Sequence, residues 1–490
     1  MRGPLLDVTV IGAGLGGLSA AIHLRLAGHK VRIFESGATT GGRANRLELG
    51  GLRFDTGPTL LNYPWVFEDL FRAAGRRLED VIKLRRVDPS VTYRWPDGRR
   101  LTLSSDPDRL KDEFERMEPG AARALDGFLS DAREKYRIAF DKLVPKNEDS
   151  PVRFFGSLSL GEWRRTALWR SMYGELRRFF RSRYICEALG SYAMYLGGSP
   201  FDLPGLFTIL PYGELAHGLW FPEGGIYALV EAVENLAWEL GVEIYTQRRV
   251  TRILSTDGRV RGVRLEDGSD LDSTCVVSNV DLPATLTELL GQPRPRLQMS
   301  PSVLTYYWVV QGQPSGMDHH SIFFPSDYRT AFDVLNRGVE LPSEPAFYVA
   351  APSASDPNFA RPDAFALFVL VPLPLLARLK HAGWNESVPG IKREVLRRLR
   401  ESGFDLSESR IRAEQVWTPE HWRRRFGLFD GSAFGAAHTL WQMGPFRPRN
   451  YSRRIRGLYF TGASTTPGTG LPMVVLSGKL TAHRIAEHAR

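Results

Sequence analysis

The start of the chain alternates between apolar runs and polar breaks in an order typical of an α/β domain. Val8–Ile11 is a β-branched apolar run, which predicts a buried parallel strand. Leu18–Ala27 has helical spacing, and Gly28 is a stop signal for that helix. Lys30–Glu35 then predicts a second strand that ends in an acid. The pattern therefore predicts a strand, a loop, a helix and a second strand.

Three glycines fill the predicted loop with the spacing Gly-x-Gly-x-x-Gly, at Gly12, Gly14 and Gly17. The first allows a tight turn, the second lets a pyrophosphate approach the backbone, and the third lets the helix pack close to the strand. The helix N-terminus offers N–H groups and a positive dipole end to phosphates. Glu35 is placed to accept hydrogen bonds from a ribose. We therefore expect a dinucleotide site here.

The segment after the second strand extends this candidate site. Gly41-Gly42-Arg43 would let the backbone pass close to the cofactor and bring a cation to its phosphates. The alternative is a glycine turn with a surface arginine. Phe54–Thr59 is rich in turn residues, and we expect it along a flavin ring.

Between residues 65 and 211 the apolar positions recur mainly with helical spacing. A helix is predicted over Pro107–Glu118, with Asp106 as its N-cap and the proline in its first position. Further helices are predicted over Ala121–Lys142 and Gly161–Leu189.

The Gly161–Leu189 stretch combines an aromatic face with many arginines between residues 161 and 184. Such a combination is typical of a helix that lies in a membrane interface. The alternative is a helix whose aromatic face packs in the core.

The second half of the chain predicts mainly strands. A helix over Ile226–Leu240 precedes strands that would return to the nucleotide sheet, with Val250 near the adenine. These strands are Val242–Tyr245, Arg249–Leu254, Val260–Leu265 and Cys275–Asn279. A second sheet, expected to wall a substrate cavity, would contain Val303–Gln311, Ala346–Ala350 and Phe365–Val371. Val388–Glu401 predicts an amphipathic helix.

The end of the chain repeats the loop-to-helix pattern. Gly457–Thr461 predicts a strand, Gly462–Pro472 a turn rich in glycine and threonine, and Met473–Glu487 a helix. This second junction would aim further N–H groups at the cofactor.

The composition is that of an ordinary globular protein, with 43% hydrophobic and 24% charged residues in a chain of 490, enough for two or more domains. Cys186 and Cys275 give neither a disulfide framework nor a metal spacing, so we expect no metal. The net charge of +9 suits nucleic acid or an anionic membrane, but no nucleic-acid module is found. No leader pattern is visible and Ala364–Leu376 is too short for a membrane span, so we expect a cytoplasmic location.

One glycine fingerprint is present, whereas an enzyme with FAD and NAD(P)H domains would normally show two. We therefore expect one FAD, and a quinone or oxygen as the electron acceptor, since neither needs a domain of its own. His319, His320 and His438 are candidates for acid–base chemistry, and the alternative is ordinary surface or hydrogen-bonded histidines. The sequence supports no Ser–His–Asp or Cys–His arrangement.

These features together resemble a known family. Val8–Glu35 and Gly41-Gly42-Arg43 look like the FAD fingerprint of the amine-oxidase and phytoene-desaturase superfamily. Further segments narrow the resemblance to bacterial carotenoid desaturases of the phytoene-desaturase type. They are Phe54–Thr59, Trp220–Gly225, Val277–Asp281 and Gly462–Pro472.

The resemblance implies an α/β fold with a Rossmann-like FAD-binding domain assembled from residues 1–75, 220–288 and 455–490. It also implies a mixed α+β substrate domain at 289–454 and a helical, membrane-facing region at 76–219. By motif matching, the residues expected to touch FAD are Gly12, Gly14, Gly17, Glu35, Gly41, Gly42, Arg43, Val250, Gly462 and Pro472. Thr466 stands where many family members have a histidine before Pro-Gly, which weakens any mechanism that uses that histidine.

The activity implied by the resemblance is FAD-dependent introduction of C=C bonds into an acyclic carotene or carotenoid. Hydride would pass to the flavin, so the difficult step belongs to the cofactor. The substrate would need a long apolar tunnel, and the enzyme would rest peripherally on the bilayer to collect it. The alternatives are a carotenoid oxygenase or ketolase, a polyene saturase or isomerase, an amine oxidase, and a non-enzymatic polyene carrier.

Overall fold

The first apolar run lies at the centre of a parallel sheet. The computed structural model of the chain describes residues 4–379 and 383–489. The parallel sheet has five strands, in the order Leu458–Phe460, Cys275–Ser278, Asp7–Ile11, Lys30–Phe34 and Glu243–Tyr245. Every pairing in it is parallel. Strands far apart in sequence therefore bring their carboxyl ends to one edge.

A larger, mainly antiparallel sheet forms the second layer. Its eight strands run in the order Ile411–Trp417, Ser302–Gln311, Ala364–Leu373, Phe347–Ala350, His320–Phe323, Val91–Arg94 and Arg100–Leu103, with Ala360–Arg361 paired to Ala364–Leu373. A separate three-stranded sheet contains Val250–Thr256, Arg259–Leu265 and Asp270–Asp272. Two two-stranded sheets pair Arg46–Leu49 with Leu52–Asp55 and Leu84–Val87 with Leu219–Pro222.

Helices cover the sheets and fill the region between them. The α-helices are Leu15–Leu26, Trp65–Ala73, Pro107–Met117, Ala121–Ile138, Pro151–Phe155, Leu160–Arg165, Met172–Leu176, Arg183–Gly190, Ile209–His217, Ile226–Glu239, Leu282–Ala284, Tyr328–Arg337, Trp384–Glu401, Pro419–Phe426 and Leu471–His488. Short π segments are Ala139–Leu143 and Thr285–Leu289. The 3₁₀ turns are Leu78–Asp80, Ser191–Leu196, Gly205–Thr208, Pro352–Ala354, Pro357–Phe359, Glu408–Arg410, Phe429–Gly431, Leu440–Gln442 and Gly444–Phe446.

The two faces of the large sheet have different partners, because successive side chains of a strand point to opposite faces. Leu304, Tyr306 and Trp308 share a core with Val395 of the helix Trp384–Glu401. The alternate positions, among them Val303, belong to the core on the other face. The predicted strands of this sheet and the helix after it are confirmed.

The predicted helix over Gly161–Leu189 is wrong as a single element. The chain forms three short helices there, and Ala167 between the first two has a φ of +49°, outside the right-handed helical region. The second half of this stretch follows the core alternative, since Met172, Leu176 and Phe180 are fully buried.

The expectation of mainly helical structure between residues 65 and 211 is also incomplete. Leu84–Val87, Val91–Arg94 and Arg100–Leu103 are strands. The first two pair with strands more than a hundred residues away, at Leu219–Pro222 and His320–Phe323, and Arg100–Leu103 pairs with Val91–Arg94. Such short strands have too few alternating positions to be predicted from the local hydrophobic pattern.

Within the described ranges, no helix is both long enough and apolar enough to cross a bilayer.

Candidate functional site

A cavity of about 570 Å³ reaches from the carboxyl edge of the parallel sheet to the inner face of the large sheet. Its first end is formed by the glycine-rich loop after the strand Asp7–Ile11 and by the turn after Leu458–Phe460. Its other end is lined by side chains of the large sheet, including Val303, Ile322 and Leu370. Nine of the ten residues predicted to touch a cofactor line this single cavity, and Gly17 is the exception. The volume is within the range of small-molecule and cofactor sites.

The glycine loop is built by steric exclusion. Gly12 has a φ of +92° and its N–H donates to the carbonyl of Phe34 (2.8 Å). A Cβ at Gly14 would lie 2.7 Å from Nδ2 of Asn279, and a Cβ at Gly17 would lie 2.2 Å from the carbonyl oxygen of Gly12. Gly17 therefore permits close packing of the helix on the loop rather than contact with a ligand.

The Glu35 carboxylate is hydrogen-bonded to two loops at the carboxyl edge of the parallel sheet. One carboxylate oxygen accepts from the N–H of Ala13 (2.8 Å), and the other accepts from the N–H of Gly37 (2.7 Å). The carboxylate also borders the cavity, and each of its oxygens has a further lone pair. It can therefore accept a hydroxyl of a ribose without losing its structural contacts.

The Gly-Gly-Arg segment lies against the glycine loop. The N–H of Gly41 donates to the carbonyl of Ala13 (2.8 Å), and Gly42 has a positive φ of +60°. Arg43 lines the cavity in a half-buried position, and its guanidinium already donates to the carbonyl of Ala433. Burial lowers the pKa of Arg43, and the Asp281 carboxylate opposes this effect.

The carboxy-terminal turn closes the cavity from the opposite side. Gly462 has a φ of +112°, and its N–H donates to the hydroxyl of Ser477 (3.0 Å). Thr466 and Pro472 border the cavity in the same turn. The two turns singled out by sequence therefore meet at one site, as predicted.

His438 packs against this turn, although sequence reasoning did not connect the two. A Cβ at Gly468 would lie 2.3 Å from Nε2 of His438, which accepts from the N–H of Thr469 (3.4 Å). Burial and nearby Arg447 lower the pKa of His438 well below its usual value. A neutral, hydrogen-bonded imidazole thus borders the turn in which Thr466 replaces the expected histidine.

Val250 borders the cavity at the end marked by Glu35, and Arg249 and Leu289 line the same end. This placement agrees with a role beside the base of a dinucleotide.

The far end of the cavity is predominantly apolar. The side chains there are mainly aromatic or branched aliphatic, among them Phe207, Leu210, Phe332, Leu335, Leu370 and Phe426. Polar side chains interrupt this lining, namely the hydroxyls of Thr59, Tyr195 and Tyr348, the amide of Asn336 and the guanidinium of Arg425. A ligand in this end would be recognised mainly by its shape.

His320 and His319 stand behind Tyr348 and are buried, in agreement with the hydrogen-bonded alternative. Nδ1 of His320 is hydrogen-bonded to the Tyr348 hydroxyl (2.6 Å), and Nδ1 of His319 to the Ser355 hydroxyl (2.8 Å). Burial lowers the pKa of His319 to about 3 and that of His320 well below its usual value. The pairing with Tyr348 could not be found from sequence, because no local pattern links positions 320 and 348.

The residues at the first end fit a dinucleotide cofactor. The helix Leu15–Leu26 begins at the cavity, and the N–H groups of its first turn have no partner inside the helix. Gly14 leaves its backbone accessible to phosphates, and Glu35 is available to a ribose. In the described part of the chain, no group of three His, Cys, Asp or Glu side chains is arranged to hold a metal ion.

Comparisons with known proteins agree with this geometry. The family model for flavin containing amine oxidoreductase matches residues 15–486. The chain is 38% identical to a zeta-carotene-forming phytoene desaturase of Myxococcus xanthus, over 98% of this chain and 93% of the relative. It is 32% identical to a 4,4'-diapolycopene oxygenase of a Methylomonas species, over 98% and 97% of the two chains.

A solved structure shows the same fold. An oxidoreductase from Methanosarcina mazei superimposes with a TM-score of 0.62 over 96% of this chain and 98% of its own, at 18% sequence identity. At that identity the likeness concerns the fold alone.

Proposed function

This chain belongs to the family of flavin-containing amine oxidoreductases, and from that premise we propose that it is an FAD-dependent carotenoid desaturase. It would introduce C=C bonds into an acyclic carotene or carotenoid. The observation that carries this proposal is the continuity of one cavity, from a glycine-rich end that fits a dinucleotide to a largely apolar end. Relatives of 38% and 30% identity are named as phytoene desaturases, which supports the same substrate class.

The glycine-rich end of the cavity would bind the cofactor, and the apolar end would bind the polyene. Gly12, Gly14 and the first turn of the helix Leu15–Leu26 would receive the phosphates, and Glu35 would hold the adenosine ribose. Arg43 and the turn Gly462–Pro472 would border the flavin side. When bound, the flavin supplies a two-electron acceptor for hydride. The apolar end would hold the polyene extended and exclude water.

The proposal is tested by supplying purified, FAD-loaded protein with phytoene, zeta-carotene, neurosporene or lycopene in vesicles. Desaturation adds conjugated double bonds, so we expect a product of longer-wavelength absorption and lower mass by two hydrogens per bond formed. Failure to convert any of these polyenes, together with flavin bleaching by a polyamine, would instead support an amine oxidase.

The oxygenase alternative has one specific observation in its favour, the 32% identity to a protein named 4,4'-diapolycopene oxygenase. The same assay separates the two activities by mass spectrometry. An oxygenase adds oxygen to an end group, and the mass of the product then rises rather than falls.

We also propose that the enzyme docks on a membrane through the surface around one entrance to the cavity, which we call the rim surface. It carries exposed Val152, Leu160, Trp169 and Trp441, with exposed fractions of 82%, 78%, 56% and 73%. Their chain neighbours Phe155, Leu168 and Leu440 line the cavity. Exposed arginines at 153, 164 and 165 lie among them and would attract anionic headgroups.

Vesicle flotation tests this docking surface. Wild-type protein should float with phosphatidylglycerol vesicles, whereas the double variant Val152→Ser, Trp441→Ser should stay in solution. Trp238→Ser is a matched control, since Trp238 is 53% exposed but does not line the cavity. Equal flotation of the double variant and the control would contradict docking through the rim surface.

For the electron acceptor we propose a quinone or oxygen, because the sequence shows one dinucleotide fingerprint. Anaerobic stopped-flow mixing of the reduced enzyme with a soluble quinone, and separately with oxygen, measures both reoxidation rates. Reoxidation by NADP⁺ alone would contradict the proposal.

A further inference from the structure

A hydrogen-bonded pair crosses the cavity wall where the cofactor segment meets the large sheet. The hydroxyls of Thr59 and Tyr348 are 2.6 Å apart, and both residues border the cavity. Thr59 belongs to the Phe54–Thr59 segment that is expected along the flavin ring. Gly57 in that segment packs directly on Arg43, where a Cβ would lie 2.4 Å from the arginine carbonyl oxygen. Tyr348 therefore presents a hydroxyl near the place where oxidation is expected.

A chain of polar groups leads from Tyr348 towards the outer surface. The Tyr348 hydroxyl is 2.6 Å from Nδ1 of His320, and the rings of His320 and His319 have centroids 4.1 Å apart. Nδ1 of His319 is 2.8 Å from the hydroxyl of Ser355, which is only half-buried. The Nε2 atoms of both histidines have no hydrogen-bond partner among the described residues. Both imidazoles thus retain a nitrogen that is not engaged by the protein.

Formation of a C=C bond requires an acceptor for a proton. One C–H bond breaks and its hydrogen leaves with the electron pair, as a hydride that a bound oxidised flavin would accept. The C–H bond on the neighbouring carbon breaks as well, its electron pair becomes the second bond between the carbons, and a proton is released. Since the polyene itself has no basic group, that proton must pass to the protein or to water.

We propose that Tyr348 accepts this proton on its hydroxyl oxygen while its own proton passes to Nδ1 of His320. This assignment rests on the proposed desaturase function. This transfer uses the arrangement in which Thr59 donates to the Tyr348 oxygen and Tyr348 donates to Nδ1 of His320, which both hydrogen bonds permit, and the proton then moves away from the cavity. The His319 ring packs against His320, and His319 is in turn hydrogen-bonded to half-buried Ser355.

The electrostatics of the pair are consistent with this role. His320 is fully buried, and burial lowers its pKa, so its imidazole is neutral before the reaction, as the acceptor of a proton must be. Burial also lowers the pKa of His319, and the buried Asp356 carboxylate opposes this effect. That carboxylate is fixed by the N–H groups of Gly224 (2.8 Å) and Asn358 (3.0 Å).

The test compares Tyr348→Phe and His320→Gln with a matched control, Tyr306→Phe. Tyr306 is a fully buried tyrosine of the same sheet, and its hydroxyl donates to the carbonyl of Val388 (2.8 Å) on the opposite face. All variants are purified with FAD, and thermal unfolding and flavin content are measured first. We expect kcat for desaturation to fall about a hundredfold in Tyr348→Phe, with KM little changed and a smaller solvent isotope effect.

A second readout does not depend on turnover. In ¹⁵N-histidine-labelled protein, the His320 signal is assigned by its absence from His320→Gln. We expect the Nδ1 resonance of His320 to move in Tyr348→Phe and to stay in place in Tyr306→Phe.

The outcomes separate the two proposals. If wild-type protein oxidises no polyene, the desaturase function fails and the proton assignment fails with it. If wild-type protein is active and Tyr348→Phe stays within about twofold of it, only the proton assignment is overturned. If His320→Gln does not fold, Tyr348→Phe and its control Tyr306→Phe still test the proton assignment. An equal loss of kcat in Tyr348→Phe and Tyr306→Phe contradicts the assignment.

Discussion

At the scale of single residues, Gly17 has a packing role, although its place in the glycine motif predicted contact with the cofactor. It does not border the cavity, yet an added Cβ would lie 2.2 Å from the carbonyl oxygen of Gly12. We expect Gly17→Ala to push the helix Leu15–Leu26 away from the loop, at a cost of about 1–3 kcal/mol. FAD content by absorbance and unfolding in urea measure the two effects.

Gly161→Ala is the matched control for this substitution. A Cβ at Gly161, which is also helical, meets no atom within 4 Å. An alanine there should leave FAD content unchanged. Full FAD content in Gly17→Ala would contradict the packing role of Gly17.

A second prediction concerns Glu214, a buried carboxyl with no ionic partner among the described residues. Ser90 donates to one of its oxygens (2.7 Å), and burial raises its pKa from 4.5 to about 7. The folded state therefore holds this proton more tightly than the unfolded state between about pH 4.5 and pH 7. Stability from this group is complete below that window and is lost as the pH rises through it, by roughly 3 kcal/mol.

The comparison of wild type with Glu214→Gln isolates this effect, because the amide stays neutral. We expect thermal unfolding of the variant to vary less between about pH 5 and pH 8. Exposed Glu266→Gln serves as the control and should follow wild type. Parallel curves for wild type and Glu214→Gln would contradict a raised pKa for Glu214.

Residues of the cofactor motifs can be predicted from sequence, whereas the hydrogen-bonded partners of Tyr348 cannot. The glycines of the loop, Glu35 and Gly462 are required by local backbone geometry, so short motifs reveal them. Tyr348 reaches Thr59 across 289 positions and His320 across 28, through the pairing of strands. Such partners are fixed by tertiary structure, and the composition around them carries no signal.

At the scale of elements, Asp55 joins the strand Leu52–Asp55 to the helix Ile226–Glu239. Its carboxylate accepts from the first two N–H groups of that helix, those of Ile226 (2.8 Å) and Tyr227 (3.0 Å). The preceding Gly225 has no side chain to cap the helix. A cap is thus supplied by a residue 171 positions away.

We expect Asp55→Ala to lower the free energy of unfolding by about 2 kcal/mol, since two helix N–H groups lose a charged acceptor. Burial raises the pKa of Asp55 to about 7, so urea unfolding should be measured near pH 8, where the carboxylate is charged. Asp55→Asn keeps an acceptor and should lose less. An Asp55→Ala variant as stable as wild type would contradict this capping role.

Helices and strands that are determined by local interactions were predicted correctly, whereas some that depend on long-range contacts were not. The helix predicted with Asp106 as N-cap is confirmed, and the Asp106 side chain accepts from the N–H of Asp108. The strands Val91–Arg94 and Arg100–Leu103 were missed because each has only four residues, and the first of them is added to the sheet by pairing with the distant strand His320–Phe323. The prediction of a continuous helix over Gly161–Leu189 failed because hydrophobic periodicity does not reveal the break at Ala167, where φ is +49°.

At the scale of the whole molecule, the cavity is where distant parts of the chain meet. Residues from the first loop, the middle of the chain and the carboxy-terminal turn border it together. The helices Leu15–Leu26 and Leu471–His488 reinforce this junction, since a Cβ at Gly478 would lie 2.5 Å from the N atom of Ala20. A ligand in the cavity therefore contacts segments that are separated by more than 400 positions.

This arrangement predicts that FAD removal destabilises the entire protein rather than one loop. Binding to the folded state alone adds about 2.7 kcal/mol when free FAD is a hundredfold above its Kd. The unfolding temperature of the deflavinated protein should thus be lower and should rise with added FAD in one cooperative transition. Riboflavin, which lacks the phosphates that the glycine loop would receive, is the matched ligand control and should stabilise less. A transition temperature that is independent of FAD would contradict binding in this cavity, because any ligand joining these segments must oppose their separation.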